Sequence, residues 1–351
     1  MIKAVSLFSG GLDSILATKI IMDQGIEVIA VNFIHPFTNN KKMKEKQDYA
    51  RSMSQKMGIE LVEIELRENF LDLLRNPKYD FGKNLNPCID CKILMITQAY
   101  QVMKEKKASF LITGEVLSQR PKSQFLWGLN IIDRDSHLKG FILRPLSAKL
   151  LQETIPEQKG WVNRDKLFNL SGRIRGPQFD LAQKMGITDY PAPAGGCLLT
   201  DPIFSRRVYD LLIHDELTME NIELLKLGRY FRLTSQFKLL VGRNEKDNSA
   251  LFNHAKPKDY IFTPSHGKGP TGLGLGVIDS SAEQLASGII AYYSSPDIKP
   301  FYIKIQHQSF PSPKIVQPTP LSLDQIEKYR IENFPIQLTR QNTQKNTSKI
   351  T

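Results

Sequence analysis

The chain has 351 residues, 41% of them apolar and 24% charged, enough for two or three domains each with its own core. A net charge of +11 with pI near 9.4 points toward a polyanionic partner. No run approaches the ~18 uninterrupted apolar residues of a membrane span, and Met1 leads straight into a strand pattern with no basic leader. A cytoplasmic protein without membrane contact is therefore expected, and three cysteines in such a chain argue for thiol or metal chemistry rather than a disulfide framework.

Strand patterns occupy 3–8 (KAVSLF) and 27–34 (EVIAVNFI), with a helical pattern at 13–24 between them. A basic, helix-prone stretch at 41–58 precedes the strand pattern at 60–66. Residues 92–106 read as helix and 109–113 (SFLIT) as a buried strand. Such alternation predicts a parallel α/β sheet, whose ligands bind at the carboxyl ends of the strands. Residues 9–14 and 114–124 both fall at such ends. From 145 to 200 the chain is rich in Pro and Gly and reads as an extension with long loops. A helical pattern at 203–226 leads into a smaller α+β unit. There GRYFRL and FKLLVGR read as paired strands, followed by a helix, the strand DYIFT and the glycine-rich SHGKGPTGLGLG. The expected division is 1–200, 201–335 and a polar, disordered tail at 336–351. No internal repeat is present.

Ser9-Gly10-Gly11-Leu12-Asp13-Ser14 follows the first strand and opens a helix. Unpaired backbone N–H groups there face outward at the positive end of the helix dipole, an anion-binding arrangement. The spacing is neither Walker A nor a dinucleotide fingerprint. Matched at every fixed position, it resembles the S-G-G-x-D-S loop of the PP-loop (N-type) ATP pyrophosphatases. Members split ATP between its α and β phosphates and adenylate a carbonyl-type oxygen. The resemblance implies that Ser9, Gly10, Gly11 and Ser14 hold pyrophosphate and that Asp13 is the essential acid, acting through Mg²⁺.

LITGEVLSQRPKSQ (111–124) and FILRPLSAK (141–149) resemble segments of the 4-thiouridine synthetases, extending the likeness to the tRNA-thiolation branch over roughly residues 1–200. Gly114 and Gln119 thereby join the expected ATP-binding residues, and Lys122, Arg144 and Lys149 become candidates for stabilising phosphate charge. Cys88 and Cys91, in NPCIDCK, resemble the cysteine motif of 2-thiouridine synthetases, and Cys197 follows TDYPAPAGG, where thiouridine synthetases place a cysteine.

Three chemistries suit this set. All three cysteines are the expected ligands of a [4Fe–4S] cluster, whose open iron delivers sulfide. Alternatively Cys88 and Cys197 form a persulfide pair, helped by a lowered thiol pKa at Cys88 just before a predicted helix. A zinc site is the third, completed by His35 or Asp90. Asp13, Cys88 and Cys197 are the expected catalytic residues.

Residues 228–275 resemble the NFACT-R type of RNA-binding module. Arg229, Arg232, Lys238, Arg243 and Lys246 are its phosphate-contact candidates, with Tyr230 and Phe231 available for stacking. The expected activity is ATP-dependent thiolation of a tRNA uridine. Sulfur would come from a separate donor, a cysteine desulfurase or free sulfide, and a homodimer is the assembly envisaged. A PP-loop ligase or thiolase for a small molecule, and an RNA-binding protein with a relic ATP site, are the alternatives.

Overall fold

The computed structural model describes residues 2–38, 40–191, 197–294 and 301–337. The chain divides into two units at Leu198/Leu199. Most of the tail expected at 336–351 lies outside the described residues.

The first unit is built on a parallel sheet of β1 (Lys3–Leu7), β2 (Glu27–Ile34), β3 (Glu60–Glu65), β4 (Phe110–Thr113) and β5 (Ile142–Leu143), in the order β3-β2-β1-β4-β5. Its helices are α1 (Leu12–Met22), α2 (Asn40–Met57), α3 (Glu68–Arg75), α4 (Cys88–Glu105), α5 (Leu126–Asp135), α6 (Ile155–Gln158) and α7 (Gly176–Lys184). Strand residues alternate between the two faces, as a period of two requires. Ala4, Val28, Phe110 and Ile112 pack with Leu16 and Ile20 of α1 and Leu181 of α7. Val5, Ile29, Val31 and Leu111 pack with Ile96 and Ala99 of α4 and Ile132 of α5. Both faces are covered, which is why these strands read as nearly continuous apolar runs. The winding runs outward from β1 through β2 to β3, then returns to the other side of β1 with β4. The carboxyl ends of β1 and β4 are thus neighbours at the topological switch point.

Several boundaries differ from expectation for local reasons. α4 starts at Cys88, four residues early, because Pro87 fits the N-cap position where its missing N–H costs nothing. Within the region expected to be loops, α7 begins at Gly176-Pro177, with Pro in the first turn.

The second unit carries a six-stranded sheet in the order β11-β10-β8-β9-β7-β6, antiparallel throughout. Its strands are β6 (Arg229–Thr234), β7 (Phe237–Val241), β8 (Tyr260–Pro264), β9 (Gly272–Gly276), β10 (Ile303–Gln306) and β11 (Lys314–Val316). Its helices are α8 (Pro202–Ile213), α9 (Met219–Leu225), α10 (Glu245–His254), α11 (Ser280–Tyr292) and α12 (Leu323–Glu327). The single helical pattern at 203–226 is two helices, because Asp215 takes a left-handed conformation and Thr218 caps α9 by accepting the Asn221 N–H. The glycine-rich GLGLG is a strand. A Cβ on Gly274 would come within 2.6 Å of the Phe237 ring, so the bare backbone makes room for core aromatics.

Candidate functional site

The SGGLDS loop lies at the end of β1. Asn32 of β2 donates through Nδ2 to the Phe8 carbonyl at 2.8 Å, and Ser6 and Thr18 share a buried hydroxyl hydrogen bond at 2.8 Å. Strand and helix are thereby pinned on either side of the turn. Gly10 has φ +71°, a left-handed conformation, with Ala50 of α2 3.3 Å from where a Cβ would sit. Gly11 is the N-cap of α1. Ser14 donates to the Gly11 carbonyl at 2.8 Å, and the Ser9 and Ser14 hydroxyls are 3.3 Å apart. The first N–H groups of α1 lack intrahelical acceptors, so hydroxyls and amides converge where an anion is favoured.

The segment after β4 closes on this loop. A Cβ on Gly114 would fall 2.6 Å from the carbonyl carbon and oxygen of Asp13 and the Ser14 nitrogen, so only glycine lets the two strand ends approach. Gln119 donates through Nε2 to Asp13 Oδ2 at 3.0 Å, and Arg175, at the start of α7, reaches Asp13 Oδ1 through Nη2 at 3.2 Å. Gln178, fully buried, donates to Gln119 Oε1 at 3.4 Å. Three segments distant in sequence therefore converge on one carboxylate. Arg175 and Gln178 were not found from sequence. The Gly-Pro helix start just after Arg175 was the available signal.

Glu115 of the same segment is buried. One carboxylate oxygen accepts from Thr113 at 3.1 Å and Arg144 at 3.0 Å, while Lys92 lies 3.6 Å from the other. Burial alone would raise the Glu115 carboxyl, yet Lys92 and Arg144 hold it below the usual glutamate range. Arg144, 4% exposed, is also bidentate to Asp133 at 2.6 and 3.0 Å. The phosphate role expected for Arg144 is thus corrected: its donors are spent on two carboxylates inside the fold. Lys122 donates to the Phe81 carbonyl at 2.8 Å and Lys149 to the Asp165 carbonyl at 2.9 Å.

Cys88 is the first residue of α4, and Cys91 lies on the same turn; neither they nor Cys197 is in a disulfide. Burial pushes the Cys88 thiol above the ordinary value, against the pull of Arg120, Lys122 and Lys92. This reverses the lowered pKa expected from the helix start. Burial pushes Cys91 up to about 12. A cluster or zinc ion needs thiolates converging on one point. Among the described residues no group of three His, Cys, Asp or Glu side chains that could hold a metal ion is found. The proposed completing ligands are also engaged elsewhere. Asp90 is buried and accepts the Lys78 and Tyr79 N–H groups. His35 Nδ1 accepts the Phe37 N–H, with the ring against Phe70 at 4.2 Å.

In the second unit, the expected RNA contacts separate by burial. Arg232 and Lys238, 8% and 3% exposed, are ion-paired to Asp210 and Glu216. Tyr230 and Phe231 are fully buried. These four are corrected to interior residues, because both faces of the sheet are covered here: Phe231 packs in the apolar core, while Arg232 and Lys238, on the other face with Tyr230, meet Asp210 and Glu216. Arg229 donates to the Gly242 carbonyl and lies over the Tyr293 ring at 4.4 Å. Arg243 pairs with Asp247 while remaining half-exposed, and Lys246 is exposed.

Burial raises the Glu216 carboxyl, but hydrogen bonds from Arg232 and Lys238 bring it below the ordinary glutamate value. A depressed folded-state pKa means that the unfolded chain binds the proton more readily. The stabilisation is therefore complete above the ordinary value of ~4.3 and lost as pH falls through the lower folded value. We predict that Glu216→Gln flattens the acid limb of the melting temperature against pH below ~4.5, read by circular dichroism. An unchanged limb would contradict the assignment.

A parallel sheet with S-G-G-x-D-S at its switch point is the arrangement that the PP-loop resemblance implies. Residues 2–155 match the family model described as thiamine biosynthesis protein (ThiI), and residues 228–330 match that of the NFACT protein RNA binding domain. The chain is 31% identical over 144 residues to the Thermococcus kodakarensis protein named "Probable tRNA sulfurtransferase", covering 41% of this chain and 36% of the relative. To the Methanosarcina mazei protein of the same name it is 25% identical over 244 residues, covering 66% and 52%. The chain therefore spans about a third to a half of the length of these curated relatives. Among solved structures it is similar to the U34-tRNA thiolase NcsA from Methanococcus maripaludis with its [4Fe-4S] cluster, at TM-score 0.34 and 18% identity, over 64% of this chain and 70% of that one. No helix among the described residues is long and apolar enough to cross a membrane.

Proposed function

We propose that this protein is an ATP-dependent tRNA sulfurtransferase acting in the cytoplasm. The observation that carries the reading is the convergence of Gln119 and Arg175 on Asp13, at the S-G-G-x-D-S loop where β1 and β4 diverge. The relatives' names and the matched RNA-binding domain support tRNA as the substrate.

In this reading Ser9, Gly10, Gly11 and Ser14 cradle the β and γ phosphates through amides and hydroxyls. Asp13 would hold Mg²⁺, a hard cation suited to carboxylate and phosphate oxygens, which would neutralise phosphate charge there. Unlike Walker A, the loop carries no lysine, so Arg175 supplies the fixed positive charge beside it. The uridine carbonyl oxygen attacks the α-phosphorus and pyrophosphate leaves. Adenylation makes that oxygen a good leaving group, and sulfur brought by the cysteines displaces AMP. Arg229, Arg243 and Lys246 are the retained RNA-contact candidates.

The test is pyrophosphate release by the full chain with ATP, with and without tRNA. Release dependent on tRNA supports the reading. Release that ignores RNA and follows a small acceptor would replace it. Iron and acid-labile sulfide assayed after anaerobic purification decide between a [4Fe–4S] cluster on Cys88, Cys91 and Cys197 and a persulfide pair: about four irons per chain supports the cluster. Nucleoside mass spectrometry of tRNA from a deletion strain identifies the thiolated position.

A further inference from the structure

Helix α5 opens with Leu126 and Trp127, 54% and 49% exposed. Among the described residues no other two sequence neighbours are both large, apolar and this exposed. Half of the indole surface is thus left for a partner. Asn130 and Arg134 follow Trp127 at three and seven residues, the spacing of one helix face, and both are exposed. An aromatic ring, an amide and a guanidinium therefore run about 10 Å along one edge of α5. This stripe adjoins the candidate site. A Cβ on Gly128 would fall 2.1 Å from the Lys122 carbonyl oxygen, so the loop before α5 lies directly on the start of the helix. That loop carries Gln119, which donates to Asp13, and then the exposed Arg120. Three residues, at most about 11 Å of chain, separate Lys122 from Gln119.

Charge selects the partner. Lys78 and Arg134 share the single carboxylate of Asp135 at 2.5 and 2.6 Å, which leaves positive charge in excess. Lys122 ties the 78–83 segment to the loop through the Phe81 carbonyl at 2.8 Å, and that segment exposes Lys83 beside the single carboxylate of Asp80. Cations around an exposed aromatic platform are the means by which single-stranded nucleic acid is held, rings stacking on bases and cations following the backbone. A base inside a duplex offers no free face to such a platform.

We propose, resting on the tRNA reading, that the Trp127–Asn130–Arg134 stripe of α5 is an RNA-docking edge of the first unit. Trp127 stacks on an unpaired base beside the target uridine, and Arg120 and Arg134 take the flanking phosphates. The substrate must then present its uridine in a loop or a splayed strand, not inside a helix.

Trp127 and Trp161 are the two tryptophans of the chain, so fluorescence reads the contact. Trp161 packs against the first unit's core with Lys159 over its ring, and Trp161→Phe leaves Trp127 as the single reporter. The 351-residue Trp161→Phe chain is titrated with unmodified tRNA, an RNA hairpin with unpaired loop uridines, and a fully paired RNA duplex, while anisotropy of labelled RNA records binding. Emission should be quenched by tRNA and by the hairpin in step with binding, and left unchanged by the duplex. Trp127→Ala should weaken tRNA binding about tenfold, the loss of one stacked base, and Trp127→Phe should recover most of it. Unquenched emission with tRNA bound, equal quenching by the duplex, or unmoved tRNA affinity in Trp127→Ala overturns the proposal. Quenching that grows with protein concentration in the absence of RNA also overturns it, since the stripe would then be a contact between copies. In those cases tRNA binding itself stands; a wild-type chain that fails to bind tRNA would sink the tRNA reading and this proposal with it.

Discussion

Asp13→Asn should reduce tRNA-dependent pyrophosphate release by about 100- to 1,000-fold, the scale expected when one preorganised electrostatic group is removed from an active site. The substitution keeps the shape of the side chain but removes the charge that faces Arg175 at 3.2 Å and accepts from Gln119 at 3.0 Å. Folding should hardly notice. The Asp13–Arg175 pair is partly solvated, with side chains 20% and 22% exposed, and such pairs contribute about 1 kcal/mol or less. The signature is therefore a lost reaction with a melting temperature changed by only a few degrees at most. Half or more of the wild-type rate in Asp13→Asn would refute the role given to this carboxylate.

Arg144→Ala should have the opposite signature, a large loss of stability. The guanidinium is 4% exposed and satisfies Glu115 and Asp133 together, with Glu115 itself 2% exposed. Removing it leaves two carboxylates short of their partner in a desolvated place, a change that costs about 3–5 kcal/mol. For a unit of this size, that corresponds to a drop of roughly 10 °C in melting temperature. Arg144→Lys should recover part of the loss, because one ammonium replaces the charge but not the three hydrogen bonds. Thermal melts followed by circular dichroism distinguish these outcomes. A melt of Arg144→Ala within about 2 °C of wild type would show that the buried triad adds nothing.

The parts of this fold visible in the sequence were those with local causes. KAVSLF and EVIAVNFI read as strands because both sheet faces are covered, and SGGLDS read as an anion loop because its glycines and serines sit between strand and helix. The site's cross-links were not visible. The Gly-Pro after Arg175 marks a helix start but not its partner: Asp13 is 162 residues away, and only the return of α7 onto α1 joins them. Burial also reversed several chemical expectations. Arg232 and Lys238 looked like RNA contacts because charge in a strand reads as exposed; the carboxylates of Asp210 and Glu216 that draw them inward come from helix α8 and the turn after it. Cys88 at a helix start suggested a lowered thiol pKa, but desolvation outweighs the helix and three nearby cations.

Pyrophosphate release from ATP by the 351-residue chain, measured with unmodified tRNA and without it, tests the central claim most directly. The account predicts release that requires tRNA, is accompanied by thiolated uridine in equal amount, and is lost in Asp13→Asn. Equal release without RNA, or none with it, would contradict the account.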